Sequence, residues 1–208
     1  MTDCPAWLAD KLPEASPLHG RLAVARLADA DTLGAEDFSL RSAAFRDGDA
    51  LDPSFTADEE DAVAPPLEWS TPPSGAEELV LVVEDPAGRG DRAHLHWLAW
   101  GFAPQQGKLL EGESPPFAGK NAAGNSEWLL PKLDIGDPAH DYVFQLFAID
   151  RPLGLMPGAG ADEVFAAMEG HVLAAAVLNA TYEPEDLDAW SEEDDEEIAG
   201  DIADDLDV

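Results

Sequence analysis

Leu79-Val80-Leu81-Val82-Val83-Glu84-Asp85-Pro86 is the stretch on which the fold turns. Its five consecutive apolar residues leave neither alternating face for water, so the run predicts a strand covered on both sides. Pro86 closes it, having no N–H to give to a ladder. Tyr142-Val143-Phe144-Gln145-Leu146-Phe147-Ala148-Ile149 reads the same way, and His94 to Phe102 makes a third core strand. The connections between them, Pro86 to Gly90 and Gly112 to Pro138, are rich in Gly and Pro and show little helical pattern. The middle of the chain is therefore predominantly β with long loops, which in compact domains commonly carry function.

Working outward, Phe38 to Phe45 predicts a strand, Arg46 to Asp49 a turn around Gly48, and Asp52 to Thr56 a Pro-bearing loop. An acidic loop, Asp58 to Asp61, precedes Ala64-Pro65-Pro66-Leu67-Glu68-Trp69, whose paired prolines suit an extended edge or loop entry. Ala161 to Asn179 predicts a helix, with Phe165, Met168, Val172 and Ala175 on one stripe, Gly170 as a break, and Ala180-Thr181-Tyr182 returning as a last strand. Residues 1–37 are acidic, Ala-rich and interrupted by Pro5, Pro13 and Pro17, and only Arg21 to Leu27 looks able to order, so they read as an extension. Residues 183–208 read as a solvated acidic tail whose only apolar stripe is Ile198, Ile202 and Leu206. This leaves 38–182 as the domain.

With 208 residues and 45% hydrophobic content the chain can bury the core of one sizeable domain. Its 44 Asp plus Glu against 11 Lys plus Arg give a formal net charge of −33, which repels nucleic acid and anionic lipid surfaces. The 14 acidic and no basic residues after Tyr182 do not explain this alone, since the rest still carries 30 acidic and 11 basic ones. Lysine occurs only at positions 11, 108, 120 and 132, and such a surface fits a protein kept soluble at high salt. The lone Cys4 excludes an internal disulfide and a multi-cysteine metal site. No basic leader followed by an apolar run opens the chain and no run reaches the length of a membrane span, so the expectation is a cytoplasmic protein without stable membrane insertion.

Three places can carry chemistry. Asp85 presents a carboxylate at a strand end, His94 and His96 lie two apart so that both imidazoles share a face with Leu98 and Trp100, and His140 precedes the strand beginning at Tyr142. Each has a plainer reading: a strand histidine as a satisfied core or surface residue, Asp85 as a loop-capping acceptor, and Trp97, Trp100 and Trp128 as core or pocket wall. His94, His96 and His140 could also hold a divalent metal in a β-sandwich enzyme, although no Glu follows the His-x-His at a fitting strand spacing. A third alternative is an interaction protein whose acidic surface docks a basic partner. There is no Gly-x-Ser-x-Gly elbow and no phosphate-cradling glycine loop.

Several segments, in order, resemble the phosphatidylethanolamine-binding protein family and especially its bacterial Raf-kinase-inhibitor-like branch. They are Ser42 to Gly48, Pro53 to Thr56 and Ala64 to Trp69; Leu81 to Pro86 followed by His96-Trp97; Gly119-Lys120-Asn121 with Gly124; Gly136 to Tyr142; and Gly170 to Ala174 with Thr181-Tyr182. The resemblance covers Phe38 to Tyr182 and implies a mainly β fold: an antiparallel β-sandwich with a few peripheral helices. It further implies a non-catalytic protein, without metal or organic cofactor, that binds a small anion or phosphorylated head group and regulates another protein, with a homodimer as the branch's expected assembly. Carried over residue by residue, the pocket comprises Asp85, His96 and His140, walled by Pro86, Tyr142 and Pro131. The chain departs from the pattern in three places. Ala87-Gly88-Arg89 lacks the second acidic residue, Asp141 replaces an Arg, and Leu130-Pro131-Lys132 replaces a Gly-Pro-Pro stretch. The Asp141 exchange predicts weaker anion affinity.

Overall fold

The computed structural model describes residues 3–88, 90 and 92–184; the acidic tail from residue 185 on, including the Ile198/Ile202/Leu206 stripe, and Arg89 lie outside the described residues. Two antiparallel sheets form the frame. The larger runs in the order β6 (Phe117–Ala118), β4 (His94–Phe102), β3 (Glu78–Asp85), β7 (His140–Ile149), β8 (Val172–Tyr182). The smaller places β2 (Leu67–Trp69) between β1 (Leu40–Arg41) and β5 (Gly107–Leu109). The three expected core strands lie side by side at the centre of the large sheet, as their two-sided apolar pattern requires.

Alternation along these strands feeds two cores. Leu79, Leu81, Val83, Phe144 and Leu146 point toward the small sheet and pack with Leu67, Trp69 and Leu109. Val80, Val82, Val143, Phe147 and Ile149 point the other way, onto a helical layer made by α3 (Ala161–Met168) and the N-terminal segment. Residues 6–27, read above as part of an extension, carry α1 (Ala6–Ala9) and α2 (Ala23–Leu27) and bury Leu8, Leu22, Ala23 and Val24 in this second core.

Polar residues fasten that segment. Glu84, at the covered end of β3, accepts hydrogen bonds at Oε2 from the Ala23 N–H (2.7 Å) and from Gln145 Nε2 (2.9 Å). Gln145 Oε1 in turn accepts from the Val24 N–H (2.7 Å). The first turn of α2 thus gives two of its otherwise unpaired N–H groups to sheet side chains.

Four local expectations need correction. The helix expected over 161–179 ends at Met168; Gly170 adopts φ +76°, and Val172 to Tyr182 is an 11-residue strand paired along β7. The alanines there are buried as a strand against β7, and Gly170 supplies the reversal that no helix interior contains. The strand expected over 38–45 is confined to Leu40–Arg41. Asp52 is an N-cap whose carboxylate accepts from the Ser54 N–H, so Pro53–Phe55 closes a 3-10 turn. Finally, Leu67–Trp69 is the middle strand of its sheet, because Pro65 and Pro66 stand before the ladder begins.

Candidate functional site

Where β3, β4 and β7 end together, on the side facing the small sheet, a cavity of about 410 Å³ opens. Asp85, His94, His96, His140 and Tyr142 come from the strand ends; Leu129, Leu130, Lys132, Leu133, Asp134 and Asp137 come from the long loop before β7, with Ala87 and Gly88 at the rim. Four of the expected residues, Asp85, His96, His140 and Tyr142, therefore meet around one cavity. Pro86 and Pro131 do not line it. The buried Pro86 gives its carbonyl to Arg21 Nη1 (3.3 Å), and the buried Pro131 gives its own to the Ala57 N–H (2.9 Å), although its neighbours on both sides reach the cavity.

The antiparallel pairing of β3 with β7 brings Asp85 to His140, and Asp85 Oδ2 lies 2.8 Å from His140 Nδ1. The second Asp85 oxygen accepts from the Ala87 N–H at 2.7 Å, so the residue after Pro86 ties the carboxylate down through its backbone. A carboxylate oxygen facing Nδ1 places the proton there and leaves Nε2 to the ligand side of the ring.

His96 sits at an irregularity in β4. Val83 pairs with Trp97 but Glu84 pairs with Leu95, so His96 is the extra residue of a bulge. The expected common face of His94, His96, Leu98 and Trp100 is therefore broken. The two imidazoles share the cavity, with ring centroids 5.1 Å apart, whereas Leu98 and Trp100 belong to the opposite core. Trp97 is core on the cavity side, and Trp128 stacks on Phe144 and gives its indole N–H to the Phe55 carbonyl (3.1 Å).

His96 is packed edge-on against Tyr142 (4.9 Å between centroids), and its Nδ1 lies 2.6 Å from the Leu129 carbonyl. That carbonyl can only accept, so Nδ1 carries the proton and Nε2 holds a lone pair. Burial pulls the imidazole pKa down to about 4, against the opposing pull of the Leu129 hydrogen bond, and neighbouring His94 and His140 charges push the same way as burial. The ring is thus neutral at physiological pH. Burial, then the charges of Asp85 and Tyr182, push the Tyr142 phenol well above its usual range.

Asp141 does not stand in the cavity. Alternation along β7 turns it to the opposite face from His140, where its Oδ2 lies 3.3 Å from Nε2 of the buried His19 and its Oδ1 accepts from Asn179 Nδ2 (2.9 Å). The expectation that its charge weakens the pocket is corrected accordingly. What does load the cavity with negative charge is Asp134 and Asp137, which sequence reading passed over because they lie in a loop without periodicity. Together with Asp85 they set three carboxylates against the ammonium of Lys132 among the described lining residues. His96 and His140 both commit Nδ1 to protein acceptors, and among the described residues no three His, Cys, Asp or Glu are grouped to hold a metal ion.

The family model for phosphatidylethanolamine-binding protein matches residues 41–183. A UPF0098 protein of Methanothermobacter thermautotrophicus is 32% identical over 151 residues, 69% of this chain and 97% of its own length. LppC of Mycobacterium tuberculosis, named as a candidate lipoprotein, is 34% identical over 151 residues, 72% of this chain and 74% of its own length. In a crystal structure, the candidate phosphatidylethanolamine-binding protein homologue CT736 of Chlamydia trachomatis superposes with a TM-score of 0.66 at 32% identity, covering 71% of this chain and 98% of that one. The family model over residues 41–183 and these relatives lead to one conclusion: the chain belongs to the phosphatidylethanolamine-binding protein family.

Proposed function

We propose that this chain is a non-catalytic binding protein whose histidine-lined cavity takes a small phosphorylated zwitterion of the phosphoethanolamine type in preference to a bare anion. The observation that carries this reading is the mixed lining: Lys132 for a phosphoryl group, and Asp85, Asp134 and Asp137 for an ammonium. A neutral His96, with its proton held by the Leu129 carbonyl, offers an acceptor and so also favours the ammonium end. His140 Nε2, backed by Asp85, can donate to phosphoryl oxygen when the ring is protonated. Among the described lining residues no activated nucleophile is paired with a base, which supports a reading of binding over turnover.

Regulation of a protein partner and residence in the cytoplasm are further parts of the same proposal. Among the described residues no helix is long and apolar enough to cross a membrane. The test is a titration at constant ionic strength with phosphoethanolamine and with inorganic phosphate, following the ring signals of His94, His96 and His140. Saturable shifts with the zwitterion, at least tenfold tighter than with phosphate and abolished in His140→Ala, support it. Unresponsive rings, or equal affinity for both, would overturn it.

A further inference from the structure

A second cavity, of about 420 Å³, lies beside the first on the helical side of the sheet, with His94 on the border of both. Its charge is the reverse. Arg26 of α2, Arg92 before β4 and Lys120 after β6 converge on it, against the carboxylate of Glu84 among the described lining residues. Three of the chain's 11 cations thus gather in one concavity of a protein whose net charge is −33. Gly160 and Ala161 bring the N-terminus of α3 to the same wall, although the Gly160 N–H is already taken by Glu163 Oε2 (3.1 Å).

Arg26 and Arg92 also have partners within the chain, which a ligand would have to share or displace. Arg26 stacks its guanidinium over the Phe165 ring (5.0 Å) and only grazes Glu84 (4.0 Å). The Glu84 carboxylate is buried and spends Oε2 on Ala23 and Gln145, and burial raises its pKa against the lowering pull of those hydrogen bonds and of Arg26. Arg92 pairs with Asp162 at 2.6 Å, but both side chains are about three-quarters exposed (74% and 75%), a pair that solvent makes cheap to break. Lys120 sits on a loop knotted by Asn121, whose side chain bonds Asn125, the Glu127 carbonyl and the Ala123 N–H. Arg26 lies outside the residues matched by the family model, whereas Glu84, Arg92 and Lys120 lie within them.

We infer that the Arg26/Arg92/Lys120 cavity is a second ligand site, for a phosphate-class oxyanion, either free or as a phosphomonoester. Guanidinium forks and a helix N-terminus supply the donors such a group needs, and the cavity exceeds the size of the ion alone.

The test is a titration of the full chain with inorganic phosphate and, separately, glycerol phosphate, at constant ionic strength in chloride, following the backbone amides of Lys120, Ala122 and Ala161. Saturable shifts with either ligand, weakened about tenfold or more in Arg92→Gln/Lys120→Gln, support the site; the tighter of the two ligands tells whether the ester is part of recognition. Lys11→Gln/Lys108→Gln changes net charge equally and is expected to bind as wild type does. Absence of saturation in both titrations, or an equal loss in the two double variants, overturns it. The ring signals of His96 and His140, which line only the other cavity, report it in the same spectra, so failure of one site is distinguishable from failure of the other.

Discussion

His140 and Asp141 are neighbours on β7 that serve opposite faces of one sheet: His140 meets Asp85 in the cavity, and Asp141 meets the buried His19 of the N-terminal segment. Asp141→Asn is therefore expected to cost stability and leave ligand binding unchanged. Burial raises its carboxyl pKa, but hydrogen bonds from His19 and Asn179 and the charges of His19 and His140 outweigh this and hold it below its ordinary 3.8. Its contribution is then complete above 3.8 and is lost as pH falls through the lower folded value. Urea unfolding at pH 7 is expected to show a loss of about 1 kcal/mol; an affinity change with no stability change would contradict the placement.

His96 gives the opposite region of the pH scale. Its ring stays neutral in the fold down to about 4, whereas the unfolded ring takes its proton near 6.5. Stability from this residue is present above 6.5 and lost as pH falls from there toward 4, by about 3 kcal/mol at most. The check is the pH dependence of its ring signal. A midpoint near 6.5 would mean that the ring is more open to water than the packing against Tyr142 and Trp128 allows.

Gln145 and Glu84 hold the N-terminal segment, so Gln145→Leu should release it. The substitution strands the Val24 N–H and takes one hydrogen-bond donor from the buried Glu84 Oε2. The expected cost is about 2–4 kcal/mol, with hydrogen exchange at Ala23 and Val24 accelerated more than at Val80 or Val82. Uniform acceleration across the sheet would indicate that the segment and sheet open as one unit.

Gly119 tests the loop that carries Lys120. A Cβ at this position would stand 2.6 Å from Leu98 Cδ2 and 2.8 Å from the Ala159 carbonyl oxygen, the latter on backbone that cannot turn aside. Gly119→Ala is expected to destabilise by about 1–3 kcal/mol, read as a lowered urea midpoint, while Gly124→Ala, with open space but φ +82°, pays only backbone strain.

The central strands were legible because a strand buried on both faces writes itself as a continuous apolar run, and Leu79 to Val83 and Tyr142 to Ile149 do so. Val172 to Tyr182 was not, because alanine serves a helix stripe and a close-packed strand equally well, and only pairing with β7 decides between them. Asp85, His96, His140 and Tyr142 came from family resemblance, whereas the bulge that turns His96 toward the cavity depends on a register no local pattern records. The N-terminal segment left one overlooked trace: Glu84 and Gln145 interrupt apolar runs, and polar groups in such positions require partners from elsewhere in the chain.

That trace has a meaning for ancestry. The Methanothermobacter relative matches over 97% of its own length but over 69% of this chain. In a lineage without the N-terminal segment, a carboxylate and an amide at the positions of Glu84 and Gln145 would face water or nothing, and selection would be free to replace them. The segment and the pair are therefore expected to go together: a relative without the segment should also lack the carboxylate and the amide.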